Sequence, residues 1–321
     1  MPSINLTFLK ALDVTVIPKA VLAEYTTFHL GGKCPILIDC QTPLQVEKVT
    51  EHLMGQRIHF VLIGSGSNLL ISDQGIECIV VRFSGCPIMK KEGDTIVVSG
   101  GTLLDDLVKF ALENSWEGLN YASGIPGTVG GAIVGNAGAL GRQVGDALKS
   151  VTLFDGNGKK RIVGPEDLNF SYRHSRLKET GDIVLEAVFE LKPGHRQDLA
   201  KERQEILNLR KEKHPDLKTH PCAGSFFRNV EPTSKAERRQ AAGYFLEQAG
   251  AKDFKVGGAC IFEKHANIIV KGKDCTAQNV YDLSLKMGKA VFEKFGLTLV
   301  REVRLAGPFH DMPSSVHQVL W

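Results

Sequence analysis

The sequence lacks the short signatures of the common enzyme classes. Its 321 residues contain no GxxxxGK[ST] stretch, so nothing points to phosphate transfer on a P-loop. A GxSxG nucleophile elbow and an HExxH zinc pair are also absent. Seven cysteines form no CxxC pair and no cysteine–histidine spacing suited to zinc, so no metal site is expected. Scattered thiols in a chain of this size fit a reducing cytosol. No run approaches the ~20 apolar residues needed to span a bilayer. Lys10 and Asp13 fall where a signal peptide would need an apolar core. A cytoplasmic protein without membrane insertion is expected. The 39 basic residues nearly balance 36 acidic ones, so no electrostatic footprint for nucleic acid exists. With 43% hydrophobic and 23% charged residues, disorder is excluded, and the length suits about two domains.

Glycine is the residue in excess, at 33 of 321, against a usual share of about 7%. Residues 1–194 hold 24 glycines and residues 195–321 hold nine. Glycine frees the backbone from side-chain sterics, so a local excess marks tight turns or main chain pressed against something. Two parts with different tasks are expected, with a boundary near Pro193–Gln197.

Short apolar runs in the first part read as strands at Ile36–Asp39, Phe60–Ile63, Ile79–Phe83 and Thr95–Ser99. Pro43–Gly55 reads as a helix with Val46, Val49 and Leu53 on its buried face. Leu103–Glu113 reads as a second, with Thr102 before it and Asp105 and Asp106 in its first turn. Ser150–Phe154 and Lys160–Val163, joined by Asp-Gly-Asn-Gly, form a hairpin, and Ile183–Leu191 alternates as a strand. In the second part, helices are expected near Gln197–Lys213, Lys235–Gln248 and Thr276–Phe295, the last closed by Gly296. Strands are expected at Cys260–Phe262, Asn267–Val270 and Leu297–Leu305. Along the last of these, alternation puts Glu302 on the face opposite Val303 and Leu305.

Two glycine-rich segments carry the chemical signal. Gly64-Ser-Gly-Ser-Asn68 follows a strand but fails the dinucleotide fingerprint, because the third glycine would fall at Leu69 and no helix pattern follows. Its successive N–H groups and hydroxyls make a nest suited to phosphate oxygens, although such a loop can also be a plain turn. Gly118–Gly145 holds nine glycines in 28 residues, more than ordinary turns require. Around Gly124-Ile-Pro-Gly-Thr-Val-Gly-Gly131 the backbone can pass close to a flat or anionic ligand.

With Ala132, Asn136-Ala-Gly138, Tyr172-Arg-His-Ser175, Ala223-Gly-Ser-Phe-Phe-Arg-Asn229, Gly257-Gly-Ala259, Lys264-His-Ala266 and Arg301-Glu-Val-Arg304, these segments form an ordered set over roughly residues 25–307. The set resembles the UDP-N-acetylenolpyruvoylglucosamine reductase family. The resemblance implies an α+β chain. A two-lobed, vanillyl-alcohol-oxidase-type (PCMH-type) FAD-binding domain at 1–194 is followed by a smaller α+β substrate-binding domain at 195–307 and a tail at 308–321. It also implies tightly bound, non-covalent FAD, NADPH as reductant, and a nucleotide-sugar enolpyruvyl ether as substrate in peptidoglycan precursor synthesis. An oligomeric partner is not implied by it, in either direction. The 52 residues from Arg173 to Ser225 leave no room for the extra substrate-capping insertion of the longer form, which assigns the shorter type II form.

Carried over residue by residue, the resemblance makes Arg173 the cation for the substrate carboxylate, Ser225 the proton donor and Glu302 the partner of Arg173. Cofactor contacts fall at Gly64, Ser65, Gly66, Ser67, Asn68 and Leu69 in the first loop. In the second they fall at Ser123, Gly124, Ile125, Pro126, Gly127 and Thr128. Gly130, Gly131, Asn136, Gly138 and Val184 complete them. Tyr172, Arg228 and Asn229 adjoin the catalytic positions and are assigned to substrate. Without the resemblance, Arg173 reads as a surface residue, Ser225 as a turn or cap, and Glu302 as half of a solvated Glu–Arg pair. His265 reads as a packed histidine or an acid–base group. Departures from the family pattern are Val230-Glu231 before Pro232, Arg228 in place of lysine and Leu140 in place of an aromatic. Another FAD-dependent oxidoreductase of the same superfamily, or a non-catalytic flavin or nucleotide-sugar binder, remain alternatives. No cysteine between Cys86 and Cys222 could tether flavin, and a pure binder would not need a proton donor.

Overall fold

The computed structural model describes residues 6–85, 87, 89–232, 238–310 and 312. The first five residues, the expected start of the helix at Lys235 and most of the 308–321 tail lie outside the described residues.

The first sheet comprises β1 (Thr15–Pro18), β2 (Ile36–Cys40), β3 (Phe60–Ile63) and β4 (Ile79–Phe83), ordered β1-β2-β4-β3. β1 runs antiparallel to β2, whereas β2 and β3 both pair parallel with β4. Parallel strands need a crossover, and helix α1 (Pro43–Gly55) supplies it between β2 and β3. Thr42 starts α1 with a capping box: its hydroxyl accepts from Gln45 N, and Gln45 Oε1 accepts from Thr42 N. Val46, Val49 and Leu53 are fully buried, as the spacing requires.

The second sheet is antiparallel and contains β5 (Met89–Glu92), β6 (Thr95–Ser99), β7 (Leu148–Phe154), β8 (Lys160–Val163) and β9 (Ile183–Glu190). Its order is β8-β7-β9-β6-β5, with the expected Asp-Gly-Asn-Gly hairpin at one edge. Helix α2 (Leu104–Glu113) begins one residue later than expected. Leu103 holds the cap position with no side-chain hydrogen bond, so Thr102 does not cap this helix, while Asp105 and Asp106 do occupy the first turn. The glycine-rich segment contains an element its composition hides. Val129–Gly135 is a short helix, α3, capped by Thr128 Oγ1 accepting from Gly131 N at 3.3 Å. Three glycines in seven residues make it a poor helix former alone, so tertiary contact must hold it. Its buried residues Val129, Ile133 and Val134 supply that contact, packed in the core shared with β9.

Helix α4 (Arg196–Lys213) opens the second part, followed by α5 (Ala242–Gln248) and the antiparallel sheet β10 (Lys255–Val256), β11 (Ala259–Phe262) and β12 (His265–Lys271). Helix α6 (Ala277–Phe295) is capped by Thr276 and ends at Gly296, whose φ of 65° is left-handed as expected. α5 is shorter than the sequence suggests. Val230 and Gln240 exchange backbone hydrogen bonds of 2.9 and 3.0 Å, so the chain is extended where helix was expected. The expected strand Leu297–Leu305 is reduced to Arg304–Ala306, because its partner, Leu69–Ile71, is only three residues long. The burial alternation survives, with Val303 and Leu305 buried and Val300 57% exposed.

That parallel pairing ties the end of the chain to the strand after Gly-Ser-Gly-Ser-Asn. Phe28, Leu30 and Leu70 also lie in the core of the second part, beside Phe226, Leu246 and Met287. The Asp73 carboxylate accepts from Ala277 N at 2.9 Å and Gln278 N at 3.0 Å, at the start of α6. Among the described residues, no helix is long and apolar enough to cross a membrane.

Candidate active site

The two glycine-rich loops face one another. A Cβ on Gly64 would meet Thr128 Oγ1 at 2.5 Å, and one on Gly127 would meet Ser67 Oγ at 3.0 Å. Gly66 has φ 64°, and a Cβ there would lie 2.3 Å from Tyr25 O, so no larger residue fits. Between the loops and the second part runs a cleft of about 670 Å³. Ser65 Oγ is buried without a hydrogen-bond partner, as expected of a donor reserved for a ligand oxygen. Backbone that tolerates no side chain, opposite an orphaned hydroxyl, fits a phosphate-bearing cofactor.

Helix α4 closes one wall. Asp105 Oδ1 accepts from Gly124 N at 2.7 Å and from Arg203 Nη1 at 2.7 Å, while Oδ2 accepts from Arg203 Nη2 at 2.8 Å. Burial would raise the Asp105 pKa, but the Arg203 fork and the Gly124 N–H outweigh it and hold the carboxyl at about 2. Asn120, nearly inaccessible, donates to Leu199 O and to Glu202 Oε2 of the same helix. Gly124, with φ 70°, packs beneath Leu207 and Arg210.

Gly64 to Leu69 and Gly124 to Thr128 all line the cleft, as do Gly131 and Gly138. The other residues assigned to the cofactor lie behind this lining. Ser123 is fully buried and donates to Asn120 O, and Gly130 sits inside α3. Val184 is in the core on β9. Asn136, left-handed at φ 44°, donates to Ser171 O at 2.9 Å and to Gln143 Oε1 at 2.8 Å. It therefore anchors the turn that carries Arg173.

That turn is closed by reciprocal hydrogen bonds of 3.1 Å between Ser171 and His174, with Arg173 left-handed at φ 56°. Arg173 Nη1 donates to Gly138 O at 2.9 Å, and its Nε lies 2.7 Å from Glu302 Oε1, an ionic contact that falls off the N–H direction. Ser175 Oγ fixes the far side of the turn on Val134 O, at the end of α3. Glu302 N donates to Phe226 O, and Asn68 Nδ2 donates to Glu302 O. Burial pushes the Glu302 carboxyl above the usual range, against the pull of Arg173, Lys178 and Arg228. Ser225 lines the same cleft, bridged to Ile268 of β12. Asn267 holds the next residues by donating to Phe227 O and accepting from Phe227 N. The buried rings of Phe226 and Phe227 meet edge to face. Arg173, Ser225 and Glu302 thus share one cleft with both glycine loops.

The three residues assigned to substrate lie just outside that lining. Tyr172 OH accepts from Asn229 N at 3.3 Å and its ring carries Arg239. Asn229 Oδ1 accepts from Ala242 N at the start of α5. Arg228 is half-buried, with its backbone N donating to Val300 O. His265 is not on the cleft wall. Its Nδ1 accepts from Asn267 N, its ring stacks on His214 at 5.6 Å, and burial pushes its pKa down. His214 does line the cleft, and burial with Arg210 nearby holds it neutral, at about 4. Sequence reasoning missed Lys178 and Arg304, which line the cleft. A lysine in a polar turn and an arginine on an alternating strand carry no local signal of burial.

The FAD binding domain family model matches residues 35–164, and the C-terminal domain model of UDP-N-acetylenolpyruvoylglucosamine reductase matches residues 215–306. The chain is 34% identical over 304 residues to the UDP-N-acetylenolpyruvoylglucosamine reductase of Caldicellulosiruptor bescii, covering 94% of each. It belongs to the UDP-N-acetylenolpyruvoylglucosamine reductase family. The reductase of Synechococcus sp. strain JA-3-3Ab is 37% identical over 295 residues, 90% of this chain and 91% of that one. The crystal structure of the reductase from Thermus caldophilus superposes with a TM-score of 0.75 at 30% identity, covering 92% of this chain and 99% of that chain. The fold is therefore that of the reductase family, a PCMH-type FAD-binding domain joined to a smaller α+β domain. FAD is its cofactor.

Proposed function

We propose that Arg173, Ser225 and Glu302 carry the reduction of a nucleotide-sugar enolpyruvyl ether, UDP-N-acetylglucosamine enolpyruvate, to UDP-N-acetylmuramate. The observation that carries this reading is their convergence on the cleft of the glycine loops from three distant parts of the sequence. The two glycine loops would hold FAD, which, once reduced by NADPH, would supply hydride chemistry at the terminal carbon of the enolpyruvyl double bond. Arg173 offers a permanent, planar cation to the substrate carboxylate as negative charge spreads into it. Its left-handed turn, tied to Gly138 O, fixes the direction of the fork. Glu302, whose carboxyl burial pushes upward, would take up a proton as a second carboxylate arrives and donate a hydrogen bond to it. Ser225 Oγ gives a proton to the carbon next to the carboxylate, while Phe226 and Phe227, buried in the core behind it, fix its segment.

Residues 1–194 form the cofactor part, 195–307 the substrate part and 308–321 a tail in this proposal. The density of backbone cradle in the first and of reactive side chains in the second supports it. A cytoplasmic setting belongs to the same reading, supported by six free cysteines among the described residues. The test is spectroscopic. Purified protein should be yellow, bleach anaerobically with NADPH, and regain colour on addition of the enolpyruvyl nucleotide sugar. Protein that takes up no FAD, or bleached protein that keeps no trace of colour after that addition, contradicts the reading.

A further inference from the structure

Arg173 occupies a conformation that non-glycine residues avoid, so its carbonyl and side chain must be held from several sides. One holder is Lys178, whose Nζ donates to Arg173 O at 2.7 Å. Lys178 sits on a single helical turn, Leu177–Thr180, anchored by the buried Leu177 and closed by left-handed Gly181. The anchor turns the lysine inward, so that it lines the cleft with Arg173 and Glu302. Its ammonium has three donors, and the Arg173 carbonyl takes one. The charged groups around it are Arg228 beyond the Ser225 segment, Arg304 and Glu302 on the terminal segment, and Arg173 on the preceding turn. Four cations therefore surround one carboxylate, which leaves this corner short of negative charge.

We propose that Lys178 is a positioning residue of the reduction, holding the Arg173 turn by its carbonyl and adding a second cation that draws the substrate carboxylate to the Arg173 fork. The inference rests on the proposed roles of Arg173 and Glu302. The corner makes the contribution titratable: burial, with Arg228 and Arg304 nearby, pushes the Lys178 ammonium down to about 8. An arriving anion restores the charged form, so substrate binding is linked to proton uptake at this lysine. The contribution of this lysine to affinity is then level below pH 8 and weakens above it, by as much as tenfold per pH unit.

The experiment measures the Kd of UDP-N-acetylglucosamine enolpyruvate for the oxidised, FAD-loaded enzyme between pH 6 and 9.5, from the perturbation of the flavin spectrum. The parent should show the basic limb. In Lys178→Arg, which stays charged throughout, the limb should vanish while Kd at pH 7 stays within about threefold of the parent. In Lys178→Met, Kd should be at least tenfold weaker at pH 7 and also lack the limb. A limb that persists in Lys178→Arg belongs to another group, such as the uracil ring of the ligand, and overturns the inference. So does parental affinity in Lys178→Met. If Lys178→Met does not fold, the arginine variant alone decides. A parent enzyme that fails to bind this ligand at any pH overturns the proposed function itself, which separates the two failures.

Discussion

Glu302 and Arg173 contact each other where both would be expected to engage a substrate carboxylate, and the protonation of Glu302 decides whether that is attraction or conflict. Burial raises its carboxyl and an arriving substrate carboxylate would raise it further, so hydrogen-bond donation is its proposed role. Glu302→Gln keeps a donor and should retain most activity, whereas Glu302→Ala should lose roughly 10²-fold in kcat. Steady-state rates of the pair check this, and equal rates would remove donation as the role. At this scale the sequence revealed the chemistry unevenly. Arg173, Ser225 and Glu302 sit in motifs whose order is specific, although each alone reads as a surface or turn residue. Lys178 was invisible because its burial depends on a turn that only the tertiary structure orients. Asn136 was legible as important but not for its reason: it holds Ser171 O, not the cleft.

At the scale of elements, α4 is latched to the glycine loop by one carboxylate. Asp105→Asn removes the charge that holds Arg203 and Gly124 together and should weaken FAD binding about tenfold, measured by flavin fluorescence on reconstitution. The same pair sets an acid limit. A folded-state pKa near 2 lies below the ordinary carboxylate value of about 3.9. Its contribution, about 2 kcal/mol, is present above pH 4 and is lost as pH falls towards 2. Acid denaturation of Asp105→Asn should show a shallower loss over that window than the parent. Gly66→Ala, forcing a Cβ against Tyr25 O, should give poorly folded or flavin-free protein, seen as a lost yellow colour. Most elements were legible because apolar spacing and caps agree, as in α1 and α6. The misses share a cause. Thr102, the long α5 and the full-length final strand followed local propensity, and each yielded to a pairing: the Leu103–Thr128 bridge, the Val230–Gln240 bridge, and the three-residue strand Leu69–Ile71.

Across the whole molecule, the glycine-rich first part and the glycine-poor second part are interlocked. Phe28, Leu30 and Leu70 enter the second core, Asp73 caps α6, and Thr27 Oγ1 donates to Cys222 O at 2.7 Å, close in sequence to Ser225. Ser225, the proposed proton donor, is thereby registered against the glycine loops. Asp73→Ala should speed amide hydrogen exchange at Ala277 and Gln278 by about five- to tenfold, a loss of about 1 kcal/mol at the helix start. Two parts of unequal texture were readable from glycine counts, but the clamp between them was not, because pairings 200 residues apart leave no mark in local pattern. The central claim is that this clamp delivers Ser225 as the proton donor beside Arg173 and Glu302. It is tested most directly by rapid-quench measurement of product after NADPH-reduced Ser225→Ala is mixed with UDP-N-acetylglucosamine enolpyruvate. Bleaching by NADPH should match the parent, while product formation should be slower by about 10²–10⁴-fold. Product formed at the parental rate would contradict the account.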